Sequence, residues 1–223
     1  MLCYLPNHHN SGNNEASIEQ FGNGNGALQA QESDSDFNSA RIVQEGDDNI
    51  AEQFQADVSG SNIALISQIG EANEAAQEQM SVSIGNEATI SQDGYWNYGF
   101  QYQNGISALN VATITQTGEL NDAYQNQEII SVANEATITQ TGNFNYAEQD
   151  QSLLSGVFNY ASIEQTGMFN DAYQTQTVGA DLTATLVQTG DFNLSTQMQT
   201  GDSHVSTVTQ TGNFNTSTVT QGN

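Results

Sequence analysis

The sequence predicts an all-β chain: a two-sheet β-solenoid of nine strand-turn-strand repeats, stacked parallel and in register as in amyloid-like cross-β structure. Three observations point there. One motif recurs nine times at a nearly fixed period. Within each copy the fixed residues fall on alternate positions, the period of a β-strand with one constant face. On the strand faces, carboxylates avoid their own copies one repeat away.

Composition alone points elsewhere. The 223 residues hold 26 acids and one basic residue, Arg41, for a net charge of −25. High charge with modest hydrophobicity is the profile of a disordered Gln/Asn-rich chain. The acidity argues against nucleic acid as a partner, which needs a basic surface. It argues equally against an anionic membrane, and no apolar stretch is long enough for membrane insertion. A single cysteine, Cys3, rules out an internal disulfide framework.

The repeat overrides composition. From Ala40 the chain reads ARIVQEGDDNIAEQFQ, and 24 residues on, from Ala64, ALISQIGEANEAAQEQ. ATISQDGYWNYGFQYQ follows from Ala88, ATITQTGELNDAYQNQ from Ala112 and ATITQTGNFNYAEQDQ from Ala136. Copies also begin at Ala16, Ala161, Ala184 and Ser206. The spacing is 24 five times, then 25, 23 and 22. A fixed period in this range marks stacked repeat units.

Each repeat has two similar halves. Asn38-x-Ala40-x-Ile42-x-Gln44 is followed by Asn49-x-Ala51-x-Gln53-x-Gln55. Between them lies a tight turn containing Gly46, and after the second half comes a longer variable connection. Stacking copies about 4.8 Å apart aligns each fixed position into a column. The predicted columns are Asn38, Asn62, Asn86, Asn110, Asn134 and Asn159; Gln44, Gln68, Gln92, Gln116, Gln140 and Gln165; and Gly46, Gly70, Gly94, Gly118, Gly142 and Gly167. The second half adds Asn49, Asn73, Asn97, Asn121, Asn145 and Asn170, then Gln55, Gln79, Gln103, Gln127, Gln151 and Gln176. Amide columns form ladders in which each side chain donates to one neighbour and accepts from the other. The apolar core is expected from Ile18, Ile42, Ile66, Ile90, Ile114, Ile138, Ile163, Leu186 and Val208, with alanine.

The acids fit this frame. The slot after the second Asn runs Gly26, Ile50, Glu74, Tyr98, Asp122, Tyr146, Asp171, Leu194, Thr216, with carboxylates never on neighbouring rungs. Two carboxylates about 4.8 Å apart repel by about 1 kcal/mol even in water. The turn slot with Asp47 and Glu71 is the exception. The turn also carries a column of Trp96, Leu120, Phe144, Phe169, Phe192 and Phe214, read either as corner packing or as an exposed aromatic ridge. The last stretch, Ser203 to Asn223, holds no acid and is rich in Thr and Val. Segments of that kind nucleate cross-β structure, so nucleation is expected in the ninth repeat.

The pattern (S or N)-x5-Q-x-G-x2-N-x5-Q resembles the curlin repeat family, the subunits of curli fibres. Here it reads Asn38, Gln44, Gly46, Asn49, Gln55, and again Asn134, Gln140, Gly142, Asn145, Gln151. The resemblance runs from Asn14 to the end of the chain. It implies a secreted structural subunit of an extracellular, cell-surface functional amyloid of the biofilm matrix, used in adhesion. It also implies that the partners are further copies of the chain, a nucleator subunit and an outer-membrane secretion pore, with no cofactor. Departures from the major-subunit pattern are Asn in place of Ser, Leu182 and His204 in the first Asn column, and Gln53, Gln77, Gln101, Gln125, Gln149 and Gln174 in the second strand. Major and nucleator subunits both remain open.

Residues 1–13 read as a flexible N-terminal segment and 14–223 as the solenoid. The N-terminal stretch lacks the charged start and apolar run of a signal peptide, so a truncated or processed start is expected. The chain stops soon after the last predicted strand, so uncapped strand edges are expected to recruit further copies. His8, His9 and Cys3 match no standard metal spacing, and GNGNG at Gly22 to Gly26 occurs once where calcium-binding repeats recur. No nucleophile–base pair suggests an enzyme. The alternative is a monomeric β-solenoid binding ice or another ordered surface. Its basis is Thr113, Thr115, Thr117, Thr137, Thr139 and Thr141, but the Thr face breaks at Arg41-x-Val43 and Leu65-x-Ser67.

Overall fold

The computed structural model describes residues 12–31, 36–56, 60–80, 82–128, 131–155 and 157–222. Cys3, His8 and His9 lie outside the described residues, as does most of the expected N-terminal segment.

Alternation of side chains, with Gly between the halves, produces two parallel nine-stranded sheets, as expected. The first holds Glu15–Phe21, Ser39–Asp47, Ile63–Glu71, Glu87–Tyr95, Val111–Glu119, Glu135–Asn143, Tyr160–Met168, Thr183–Thr189 and Val205–Thr211. The second holds Gly26–Gln31, Ile50–Gln55, Glu74–Met80, Tyr98–Asn104, Asp122–Glu128, Tyr146–Ser155, Asp171–Gly179, Leu194–Thr200 and Thr216–Gly222. Strands in each sheet lie in sequence order, so each repeat forms one rung. The register pairs like with like: Ala112 with Ala136, Ile114 with Ile138, Gln116 with Gln140. The spacing of 25 after Ala136 is absorbed by a register shift between Ser152 and Ser155, at the end of its strand.

Burial follows the period of two. Ala40, Ile42 and Gln44 are buried while the alternate residues Arg41 and Val43 face outward. The inner faces meet in one cluster, with Ile42, Ile66, Ile90, Ile114, Ile138, Ile163 and Leu186 packed against Ala51, Ala75, Ala123, Ala147 and Ala172. Val208 closes this column, and Ile18 packs against its other end partly buried. Burying each Ile removes its side chain from water, worth roughly 2 kcal/mol per residue.

Both corners use one device, a residue with left-handed backbone just before a buried Asn. Phe144, φ 56°, precedes Asn145, and Ala133, φ 56°, precedes Asn134. At the tight corner Gly supplies a further positive φ. Gly118 has φ 121°, and a Cβ there would lie 2.0 Å from the Gly142 carbonyl oxygen. The Gly column is therefore fixed by backbone packing between rungs as well as by φ.

The long connection stacks too. Ser83–Ile84, Ser107–Ala108 and Ser131–Val132 form a narrow three-stranded parallel sheet. Bridges from Asp36 to Gly60, Gly60 to Ile84 and Val132 to Val157 continue it. The sequence gives no alternation over so few residues, so this third strip was not expected. The repeat period alone aligns it.

Candidate functional site: stacked amide and aromatic columns

In the first sheet, Gln44, Gln68, Gln92, Gln116, Gln140 and Gln165 form a continuous chain of Nε2-to-Oε1 hydrogen bonds of 2.8–3.0 Å. It extends beyond the expected set to Gln20 at one end and Gln188 and Gln210 at the other. In the second sheet, Gln55, Gln79, Gln103, Gln127, Gln151 and Gln176 do the same at 2.8–2.9 Å.

A third column completes the set. Gln29, Gln53, Gln77, Gln101, Gln125, Gln149, Gln174 and Gln197 bond in series at 2.7–2.9 Å. Six of them, Gln53, Gln77, Gln101, Gln125, Gln149 and Gln174, are the second-strand departures from the major-subunit pattern, and none of the eight belongs to the expected ladder. The signal was present, because they occupy the slot that Ile holds in the first half. Val219 ends the column, and Gln197 donates to Ser206 Oγ instead, at 2.9 Å.

The second amide hydrogen ties the sheets together. Gln53 donates to the Arg41 carbonyl at 3.0 Å, Gln125 to Thr113 at 2.8 Å and Gln149 to Thr137 at 2.8 Å, all in the facing sheet. Gln140 reaches the Asp122 carbonyl at 3.0 Å from the other side. Burying an amide costs free energy unless its donors are used, and here they are.

The Asn columns run in the opposite sense. The backbone N–H of Asn73, Asn97, Asn121, Asn145 and Asn170 donates to Oδ1 of the preceding Asn at 3.1–3.2 Å. Their Nδ2 groups reach the carbonyl of Gly94, Gly118, Gly142, Gly167 and Gly190 on the next rung at 2.8–3.0 Å. Asn49 makes the same contact with Gly70, at 2.9 Å. At the other corner, Asn38, Asn62, Asn86, Asn110, Asn134 and Asn159 are linked by N–H to Oδ1 bonds of 2.9 Å. Leu182 donates its N–H to Asn159 and ends that column, fully buried. His204 follows, with Nε2 buried and unpartnered.

The outer faces differ. At the tight corner Phe144, Phe169, Phe192 and Phe214 stack with ring centroids 4.7, 4.9 and 5.0 Å apart and planes within 9°. Phe169 is 42% exposed and Phe214 75%, so the column is a solvent-facing ridge rather than buried corner packing. On the second sheet, Tyr98, Tyr124, Tyr146 and Tyr173 form a zigzag with centroids 5.3, 5.7 and 5.4 Å apart. Glu74, Asp122, Glu148 and Asp171 alternate with them along the strand columns. Burial raises Asp122 and Asp171 above the ordinary carboxylate range, and burial together with the nearby Glu52 raises Glu78. Tyr146 is raised by burial and by donating its hydroxyl to Glu148 at 3.0 Å. Among the paired strand residues, Asp47 and Glu71 are the one acid-on-acid contact.

Residues 179–212 match the curlin associated repeat. Over those residues the chain carries a curlin associated repeat. That match supports the resemblance to the curlin repeat family. The matched segment spans the strands Thr183–Thr189, Leu194–Thr200 and Val205–Thr211, and their register continues through both sheets. Curlin repeats build structural, non-enzymatic proteins. No curated protein matches the chain.

Proposed function

We propose that this curlin-repeat chain is a structural subunit of an extracellular functional amyloid fibre, polymerising head to tail for biofilm matrix and surface adhesion. One observation carries the reading: successive rungs present their neighbours with in-register amide ladders, interrupted at Leu182, His204 and Val219, so a rung from a second copy can make most of the contacts of an internal one. The opposed senses of the Gln and Asn columns add direction. A facing rung must accept from Gln where it donates to Asn, which only a copy stacked in the same orientation does. The partners that follow are further copies of the chain, a nucleator subunit and a secretion pore in the outer membrane. Localisation at the outer cell surface follows from the same resemblance.

Fibre diffraction on the purified full chain tests this. The expected result is a meridional reflection at about 4.7–4.8 Å from filaments. A protein that stays monomeric at high concentration by light scattering overturns it and favours the alternative, a solenoid that binds ice or another ordered surface.

A further inference from the structure

The outer face of the second sheet carries a groove of about 460 Å³, within the range of small-molecule sites. It runs across four rungs, from Glu78 to Asp150. Phe100, Tyr102 and Tyr124 supply its apolar walls, with the Phe100 and Tyr102 rings 6.3 Å apart and nearly parallel, at 18°. Glu78, Glu128, Glu148 and Asp150 supply carboxylates. The single basic side chain, Arg41, is on the other sheet and pairs with Glu19 at 3.1 Å. The Oδ1 of Asn126, which also lines the groove, is buried with no hydrogen-bond partner. The groove thus offers carboxylates, ring faces and an unused acceptor, and the chain brings no cation of its own to it.

We propose that this groove binds a linear polyamine, with ammonium groups against the carboxylates and methylene segments against the Phe100, Tyr102 and Tyr124 rings. The chemistry selects an extended cation over a point charge. The carboxylates are spread over three rung steps, roughly 14 Å. Among the described residues no group of three or more His, Cys, Asp or Glu is gathered to hold a metal ion. Ring faces favour cations carrying apolar stems, and ammonium N–H donors match the unused Asn126 oxygen. Burial first, and then the nearby Glu52 carboxylate, raise the Glu78 carboxyl, and an ammonium group placed beside it would offset the second of these. The inference goes beyond fibre formation and does not depend on it, because the groove lies within one chain.

The test is equilibrium dialysis of the full chain against spermidine at low ionic strength, with circular dichroism confirming that each variant keeps its sheet content. Saturable binding is expected, with magnesium at matched ionic strength a poor competitor. The triple variant E78Q/E148Q/D150N is expected to bind about tenfold more weakly. Tyr124→Leu, which leaves the charge unchanged, is expected to lose about three- to fivefold. The control E87Q/E135Q/E164Q removes three charges from the outer face of the first sheet and is expected to bind as the parent does. Equal loss in the control means a diffuse ion atmosphere and overturns the site. So does efficient displacement by magnesium, or an unchanged Tyr124→Leu. A tetralysine peptide binding much more tightly than spermidine overturns it in favour of a polypeptide partner.

Discussion

Gln140 donates one amide hydrogen to Gln165 Oε1 at 3.0 Å and the other to the Asp122 carbonyl of the facing sheet at 3.0 Å. One side chain therefore joins two rungs and two sheets. Gln140→Ala breaks both contacts, leaves buried groups unpaired, and is expected to cost about 1–3 kcal/mol plus a cavity. Thr139→Ala, on the outward half-buried position next door, is expected to cost less than about 1 kcal/mol. Denaturant midpoints measure the difference. Equal costs would mean that the inward face does not hold the stack.

Gly118 and Gly26 should respond oppositely to a methyl group. At Gly118 the Cβ meets the Gly142 carbonyl oxygen at 2.0 Å with φ at 121°, while at Gly26 nothing lies within 4 Å. Gly118→Ala is expected to lose at least about 2–3 kcal/mol, combining clash and backbone strain. Gly26→Ala is expected to be neutral or slightly stabilising, by up to about 1 kcal/mol. Thermal unfolding of the two variants decides.

Phe169 sits at φ 55° between the stacked rings of Phe144 and Phe192. A side chain other than Gly costs about 1–2 kcal/mol in that backbone region. Phe169→Ala loses the rings and keeps the strain, whereas Phe169→Gly loses the rings and relieves it. The Gly variant should be the more stable by about 1 kcal/mol, inverting the usual order of these residues in sheets. Calorimetry of both variants checks the sign.

The charged outer face makes stability depend on pH. Asp122, Asp171 and Glu78 hold their protons more tightly folded than unfolded. Stability therefore falls as pH rises from about 4 through their raised folded values, and it is recovered on acidification. Unfolding midpoints should be higher at pH 4 than at pH 7. Asp122→Asn should raise the midpoint at pH 7 and lose that advantage at pH 4. The phenols of Tyr98, Tyr124, Tyr146 and Tyr173 are also raised. Above about pH 10 the unfolded chain ionises first, so stability should fall again, with phenolate absorbance rising together with unfolding.

Acids are absent from Ser203 to Asn223 and frequent in the early repeats. Deleting 203–223 should lengthen the lag of filament formation far more than deleting 31–55, a similar length. Dye-binding time courses at equal concentration and pH compare them. An equal or longer lag for the second deletion would remove any special role for the ninth repeat.

The two sheets were legible because a period of 24 and a period of two coincide in the sequence, so Ile42 and Gln44 announce both their face and their neighbours. The Gln29-to-Gln197 column was less so. Its residues are as periodic as the others, but amides facing an Ile column look out of place until the opposite backbone, such as the Arg41 carbonyl, is seen to accept from them. The strip at Ser83–Ile84, Ser107–Ala108 and Ser131–Val132 was not legible at all, since two residues per strand carry no pattern and only the stacking of the main sheets aligns them. The groove between Glu78 and Asp150 is assembled from different slots of four rungs, so no single repeat contains it.

The counter-running columns have an electrical consequence. Each hydrogen-bonded amide column is a row of aligned dipoles, and a single row would place opposite partial charges at its two ends, as an α-helix does. Here the glutamine rows point one way, as in Gln116 to Gln140, and the asparagine rows point the other, as in Asn145 to Asn121. Their moments oppose one another, so the end charge is smaller than if every amide row pointed the same way.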